Sequence, residues 1–393
     1  MRNKFKIPFA SRSHSYTKSE IDNVVKVMKE ASTLTQGPYL KKFEENFSKF
    51  IGSSYCFAVN SATSALELSA QLCQLKKNDE VIIPSHTYTS SAYPFIKTGA
   101  KIIWCDIDPK TRVINVNTIK KCITKKTKVI VAPHLYGYCI DMPPIIKLAK
   151  QKKILVVEDV AQAIGTSIDN KKAGTFGDFG IFSFHSHKNI TTLGEGGMLI
   201  VKDKSYADII PMLRHNGHCE FKYRRDKYWI PAMGNVDLPS LKNENLIPNN
   251  FCIGEVECAL GIQLLKRVNK INKFKQERAL YFIDSLKQYD QLEFHRVKSR
   301  RHNYHLLVAL EKGGKRDDFI EKMSNEEKVQ CVVQYYPLNR YPLYQKLGFS
   351  KASCPNADYF FDNMISFPFQ ETLSDNQFNR MIDSTLKVLK KIY

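Results

Sequence analysis

The sequence predicts an α/β protein: a large domain with a mostly parallel central sheet flanked by helices, then a smaller C-terminal α+β domain. Three observations carry this expectation. Short, nearly uninterrupted apolar runs recur through residues 55–202. Helical patterns separate them. From about residue 254 one long helical pattern leads into mixed strands and helices.

The apolar runs are YCFAV (55–59), EVIIP (80–84), KIIWC (101–105), KVIVAP (128–133) and ILVVED (154–159). Strands this apolar are buried on both faces. The helical patterns between them, Thr63–Cys73 and Pro143–Gln151 among them, give the βαβ rhythm of right-handed crossovers. GIFSF (180–184) and GMLIV (197–201) have only a loop between them and read as a hairpin-like pair at one side of the sheet. Residues 205–250 are broken by Pro, Gly and Asn, and a long irregular segment of this kind reads as a binding or interface loop. A helix follows over about Gly254–Leu286. HLLVAL (305–310), VQCVVQYY (329–336) and a closing helix near Asp375–Lys391 make up the α+β part. The division is 1–250 and 251–393, with residues 1–30 free to pack on the small domain.

Composition narrows the function. Hydrophobic content of 43% and charged content of 25% are those of a globular protein. No run of 18 apolar residues is present, so no membrane span is expected. The opening MRNKFKIPFASRSHS has no apolar core of a signal peptide. The ten cysteines include no CxxC. They read as reduced thiols of a cytoplasmic protein. The net charge of +20 is spread along the chain in pairs such as Lys125-Lys126 and Lys171-Lys172. Without a basic tail, a helix-turn-helix or a winged helix, it suits the steering of an anionic small substrate better than nucleic-acid binding.

The chemistry centres on two residues. Asp159 ends ILVVED, at the carboxyl edge of a parallel sheet, where open α/β sheets bind ligands. Alone it reads equally well as a loop or cap residue. Lys188 follows the strand GIFSF. A carboxylate for a ring nitrogen and a lysine for a Schiff base are what pyridoxal 5'-phosphate (PLP) asks of its protein. The carboxylate stabilises the protonated ring, and the amine serves as nucleophile and proton carrier. NSATSALEL (60–68) opens a helix after the first strand. Its small residues suit a phosphate at a helix N-terminus, with Ala62 and Thr63 as contacts and Ser183 as a hydroxyl from another strand; the plainer reading is an N-cap. Tyr88, in SHTYTSS, is a candidate to stack on the ring, or a packed aromatic.

Together these stretches resemble a known family, the PLP-dependent sugar aminotransferases of fold type I in the aspartate aminotransferase superfamily. EDVAQ and FSFHSHKN carry the resemblance. TQGPYLKKFEENF (35–47), NNFCIGEVECALG (249–261) and ISFPF (365–369) support it. The resemblance implies that Lys188 is the Schiff-base lysine and Asp159 the ring-nitrogen carboxylate. It places Gln162 near the phenolic oxygen, Tyr88 on the ring, and Ala62, Thr63 and Ser183 on the phosphate. It implies that Asn250 reaches the phosphate in the partner subunit, so that the working unit is a homodimer. It further implies amino transfer, from L-glutamate in the first instance, to a nucleotide-linked ketosugar for surface polysaccharide or glycoconjugate synthesis. A cyclitol ketone or small phosphorylated ketone is the alternative acceptor. Relatives that remove a hydroxyl have histidine where this chain has Lys188. TTLGEGG is one residue longer than TTGEGG, and the 228–248 segment is longer than usual; both bear on the substrate pocket.

His185 and His187 share a face on an extended strand, as metal ligands do. No third ligand is evident, and Lys188 repels a cation, so no metal is expected. Arg214, in RHNGH, reads as an ion-pair partner ahead of a substrate contact.

Overall fold

The computed structural model describes residues 5–10, 13–221, 234–239, 246–349 and 352–393. Seven strands form the central sheet: β1 (Tyr55–Val59), β2 (Glu80–Pro84), β3 (Lys101–Cys105), β4 (Thr127–Pro133), β5 (Leu155–Asp159), β6 (Phe179–Ser183) and β7 (Gly197–Val201). Their order is β1-β7-β6-β5-β4-β2-β3. The pairs β2/β3, β2/β4, β4/β5 and β5/β6 are parallel, whereas β7 runs antiparallel to both β6 and β1. The expected hairpin-like pair therefore exists, with β1 outside it at the sheet edge. All strands but β7 end on the same side, which gathers the loops after β1, β2, β5 and β6 at one edge. Pro133, Asp159 and Ile181 are level in the register.

Helices α1 (Lys18–Glu30), α2 (Pro38–Ile51), α3 (Ala62–Leu72) and α4 (Met142–Lys152) accompany this sheet. Apolar side chains from β2, β4 and β5 with α3 and α4 form one core on the sheet. Phe43 and Phe47 of α2, Phe182 and Phe184, and Cys258 and Leu264 form the core beyond. Glu255 joins these parts. Its buried carboxylate accepts hydrogen bonds from the backbone N–H groups of Gly37 (3.0 Å), Tyr39 (2.7 Å) and Leu40 (3.1 Å), the orphan donors of the first turn of α2.

Glu255 opens α5 (Glu255–Ser285), 31 residues long and thus about 46 Å. Val268 and Ile271 of α5 lie in the core of the large sheet, while Ala279 and Phe282 lie in a C-terminal core. The latter core packs β8 (Leu292–Phe294), β9 (Leu307–Glu311) and β10 (Met364–Phe367), an antiparallel sheet, against α6 (Arg316–Asn325) and α7 (Asp375–Ile392). Ile7 belongs to this core and pairs with Val329. VQCVVQYY differs from its expectation: it makes only isolated bridges, at Val329 and Val332. Its second half turns towards the large sheet, where Tyr335 bonds Gln162.

No helix among the described residues is long and apolar enough to cross a membrane. None of the ten cysteines is in a disulfide. The 228–248 segment falls largely outside the described residues; within it, Asn235–Val236 pairs with His218–Cys219.

Candidate active site

At the carboxyl edge of the sheet lies a cavity of about 400 Å³. Asp159, Gln162, Tyr88 and Lys188 line it, and so do Ala62, Thr63 and Ser183. Asn250 does not. It is exposed beyond Asn249 and bridges to His215.

Asp159 is 8% exposed and held from two sides. Ser91 Oγ donates to Oδ2 at 2.7 Å, and the Ala161 N–H donates to Oδ1 at 3.1 Å. These bonds hold the carboxylate at the wall of the cavity. One turn on, Gln162 accepts from the Tyr136 N–H at 2.6 Å and donates to the Tyr335 hydroxyl at 2.9 Å. Burial raises the Tyr335 phenol above its ordinary range, so it stays neutral. Behind Asp159, fully buried Glu158 accepts from the N–H groups of Gly174, Phe176 and Gly177 and bonds His134 Nε2. It thereby ties the strand end to the following loop.

Lys188 stands in the loop after β6, its N–H bonded to the His185 carbonyl at 2.8 Å. Its carbonyl accepts from His14 Nε2 at 2.7 Å. Burial lowers its ammonium to about 8, with the charges of Asp159 and Glu195 opposing. Near neutral pH an appreciable fraction is therefore free amine. A second lysine, Lys275 of α5, also lines the cavity. Burial lowers it to about 7, but its Nζ donates to the carbonyls of His305 (2.9 Å) and Phe369 (3.1 Å).

Ser61 caps α3, its hydroxyl accepting from the Ser64 N–H at 3.1 Å. The N–H groups of Ala62 and Thr63, at the first two helical positions, have no intrahelical acceptor. Thr63 Oγ1 donates to Ser90 Oγ at 3.0 Å. Tyr88 is 55% exposed, with its ring 5.8 Å from that of Tyr335. A core aromatic would be buried; this one leaves a face to the cavity.

The histidine pair belongs to the same loop. His185 Nε2 is 3.6 Å from Glu195, and the two rings are 5.1 Å apart. No group of three metal-ligating side chains occurs among the described residues. Arg214 is buried against Glu44 (2.5 Å) and the Ala58 carbonyl (2.7 Å), so it is an ion-pair partner inside the fold.

Sequence reasoning missed Ser91, Tyr335, His14 and His305. Ser91 lay within the quoted SHTYTSS, where a hydroxyl beside Tyr88 was a usable signal. The other three meet their partners across long stretches of chain: Tyr335 and Gln162 are 173 positions apart, His14 and Lys188 are 174 apart, and His305 and Asn189 are 116 apart. No local spacing marks such pairs.

The donor set fits PLP: an amine of lowered basicity not committed to backbone carbonyls among the described residues, one clamped carboxylate, and a helix N-terminus whose first N–H groups lack intrahelical acceptors, with a serine hydroxyl lining the same cavity. A model of the DegT/DnrJ/EryC1/StrS aminotransferase family matches residues 15–386. The chain is 31% identical over 379 residues to the spore coat polysaccharide biosynthesis protein SpsC of Bacillus subtilis, covering 95% of each. It is 28% identical to the GDP-perosamine synthase of Vibrio cholerae, over 87% of this chain and 89% of that one. Its structure matches PseC of Helicobacter pylori, an aminotransferase of pseudoaminic acid biosynthesis, with a TM-score of 0.87, 25% identity, and coverage of 98% and 99%. The chain therefore belongs to the DegT/DnrJ/EryC1/StrS aminotransferase family and is a PLP-dependent aminotransferase.

Proposed function

We propose that this enzyme is a cytoplasmic homodimer that moves an amino group from L-glutamate to a nucleotide-linked ketosugar for surface polysaccharide or glycoconjugate synthesis. The observation that carries this reading is the meeting of Lys188 and Asp159 in one cavity beside the N-terminus of α3. The names of the relatives, a spore coat polysaccharide protein and a GDP-perosamine synthase, support the sugar class. Ten unpaired cysteines support the compartment.

When bound, PLP supplies the electron sink that lets an amino acid lose its α-proton. The protein residues do the rest. Asp159, fixed by Ser91 and Ala161, holds a proton at the ring nitrogen. The α3 N–H groups and the Ser183 hydroxyl bind the phosphate, and Asn250 of each chain serves the cofactor of the other. Tyr88 covers the ring face. Lys188 would anchor the cofactor and would take up or give up a proton at Nζ, whose basicity burial lowers to about 8.

The test is to load the enzyme with PLP, convert it with L-glutamate, and challenge it with GDP-, UDP- and dTDP-linked 4-keto-6-deoxyhexoses alongside cyclitol ketones and small phosphorylated ketones. Amination of a nucleotide-linked sugar is expected. Amination of a cyclitol or phosphorylated ketone alone would replace the sugar with that acceptor.

A further inference from the structure

His305 is 5% exposed and lines the cavity, yet nothing in the chemistry above uses it. It is held at three points. Its N–H donates to Asn303 Oδ1 at 3.0 Å, its carbonyl accepts from Lys275 Nζ at 2.9 Å, and its ring Nδ1 meets Asn189 Oδ1 at 3.2 Å. Asn189 directly follows Lys188, so the imidazole is tied to the lysine loop itself.

The direction of that last bond follows from a chain of amides. The Ile164 carbonyl can only accept, so Asn272 presents Nδ2 to it, at 2.8 Å. Asn272 therefore offers Oδ1 to Asn189, which presents Nδ2 at 2.8 Å. Asn189 then turns Oδ1 to His305, and Nδ1 must carry the hydrogen. The neutral ring of this tautomer has its lone pair on Nε2. Among the described residues no group bonds Nε2, and it is not among the occluded unpartnered atoms. With the ring itself lining the cavity, Nε2 is left open to whatever enters. Burial, reinforced by the charges of Lys188, Lys275, His187 and His185, depresses the ring's basicity well below its ordinary value. The nitrogen is thus a poor base but a persistent hydrogen-bond acceptor.

An acceptor in this place discriminates between the two substrates. The single strong donor of an amino acid is its ammonium, which is consumed in bonding to the cofactor. Its carboxylates are acceptors and would be repelled by a lone pair. A sugar carries several hydroxyl donors around its carbonyl. We propose that His305 Nε2 accepts a hydrogen bond from a hydroxyl of the ketosugar and so orients the carbonyl towards the aminated cofactor. This rests on the sugar-aminotransferase reading given above.

The experiment follows the two half-reactions separately by cofactor absorbance, in wild type, His305→Phe and His305→Gln. L-Glutamate drives the first, and the GDP-, UDP- and dTDP-linked 4-keto-6-deoxyhexoses drive the second. Phenylalanine removes the acceptor, leaves a sugar hydroxyl unpaired, and should lower kcat/KM for the sugar about tenfold or more. The glutamate half-reaction should change by less than about threefold. Glutamine, which can present Oε1 to the cavity, should recover much of the loss. Equal sugar kinetics in wild type and His305→Phe would overturn the inference and leave the sugar reading standing. Equal losses in both half-reactions in both variants would also overturn it. No turnover of any nucleotide-linked sugar by wild type would remove the proposed function, and this inference with it.

Discussion

A methyl group on Gly197 would lie 2.5 Å from the carbonyl carbon of Ser61 and 2.6 Å from the nitrogen of Ala62. β7 and the first turn of α3 touch at this point, and only a glycine permits it. The approach sets the first N–H groups of α3, proposed above to bind the phosphate, against the sheet. Gly197→Ala must push that turn outward at about 1–3 kcal/mol. Titration of apoenzyme with PLP should show an affinity loss of about tenfold, with the far-UV circular dichroism unchanged.

Ser91 Oγ donates to Asp159 and also meets Thr87 Oγ1 at 3.2 Å, which holds the hydroxyl in place. Hydrogen bonds to charged groups contribute about 1.5–3 kcal/mol. Ser91→Ala should therefore slow the glutamate half-reaction by roughly 10–100-fold, with Asp159→Ala slower still. Stopped-flow absorbance measures both. Equal rates in wild type and Ser91→Ala would show that Asp159 needs no such support.

The lowered basicity of Lys188 sets a pH dependence. The neutral amine is the nucleophile, and burial brings its titration to about 8. Capture of PLP by apoenzyme should accelerate about tenfold per pH unit below that value and level off above it. The charge of Glu195 favours the ammonium, so Glu195→Gln should move the inflection to lower pH. An inflection near the ordinary lysine value would show the amine to be solvated.

Arg214 and Glu44 test the reading of RHNGH as structural. Burial raises the Glu44 carboxyl, and the charge of Arg214 opposes that rise. Arg214→Met leaves the carboxylate buried without its partner, at a cost of about 3–5 kcal/mol. Arg214→Met with Glu44→Leu should recover most of this. Denaturant unfolding reads both values.

The proposed sharing of active sites between two chains makes a complementation test. Lys188→Ala and Asn250→Ala should each be poorly active as homodimers. A mixed dimer has one site with both residues intact, so co-refolding the two variants should restore activity. No restoration would confine Asn250 to its own chain.

Much of this was legible in the sequence because local pattern governed it. YCFAV, EVIIP and KIIWC became β1, β2 and β3 with the expected bounds, since strands buried on both faces leave continuous apolar runs. That Lys188 and Asp159 meet at one cavity was legible from their places, one in the loop after a strand and the other at a strand's end. VQCVVQYY misled because apolar periodicity describes burial and not pairing: Tyr335 is drawn to Gln162 instead of a strand partner. The amide chain through Asn272 and Asn189 to His305 joins three distant segments, and only the folded chain brings them together.

Two lysines line the cavity with lowered basicity, buried Lys275 and half-buried Lys188, so the central claim can be put as a choice between them. Lys275 has two of its three N–H groups committed to backbone carbonyls. Lys188 has Asp159 and Glu195 as the charges near it. Borohydride reduction of the holoenzyme fixes the cofactor to whichever amine holds it, and peptide mass spectrometry then locates it. The account predicts the added mass on the peptide containing Lys188. Finding it on Lys275, or on no lysine of the cavity, would contradict it.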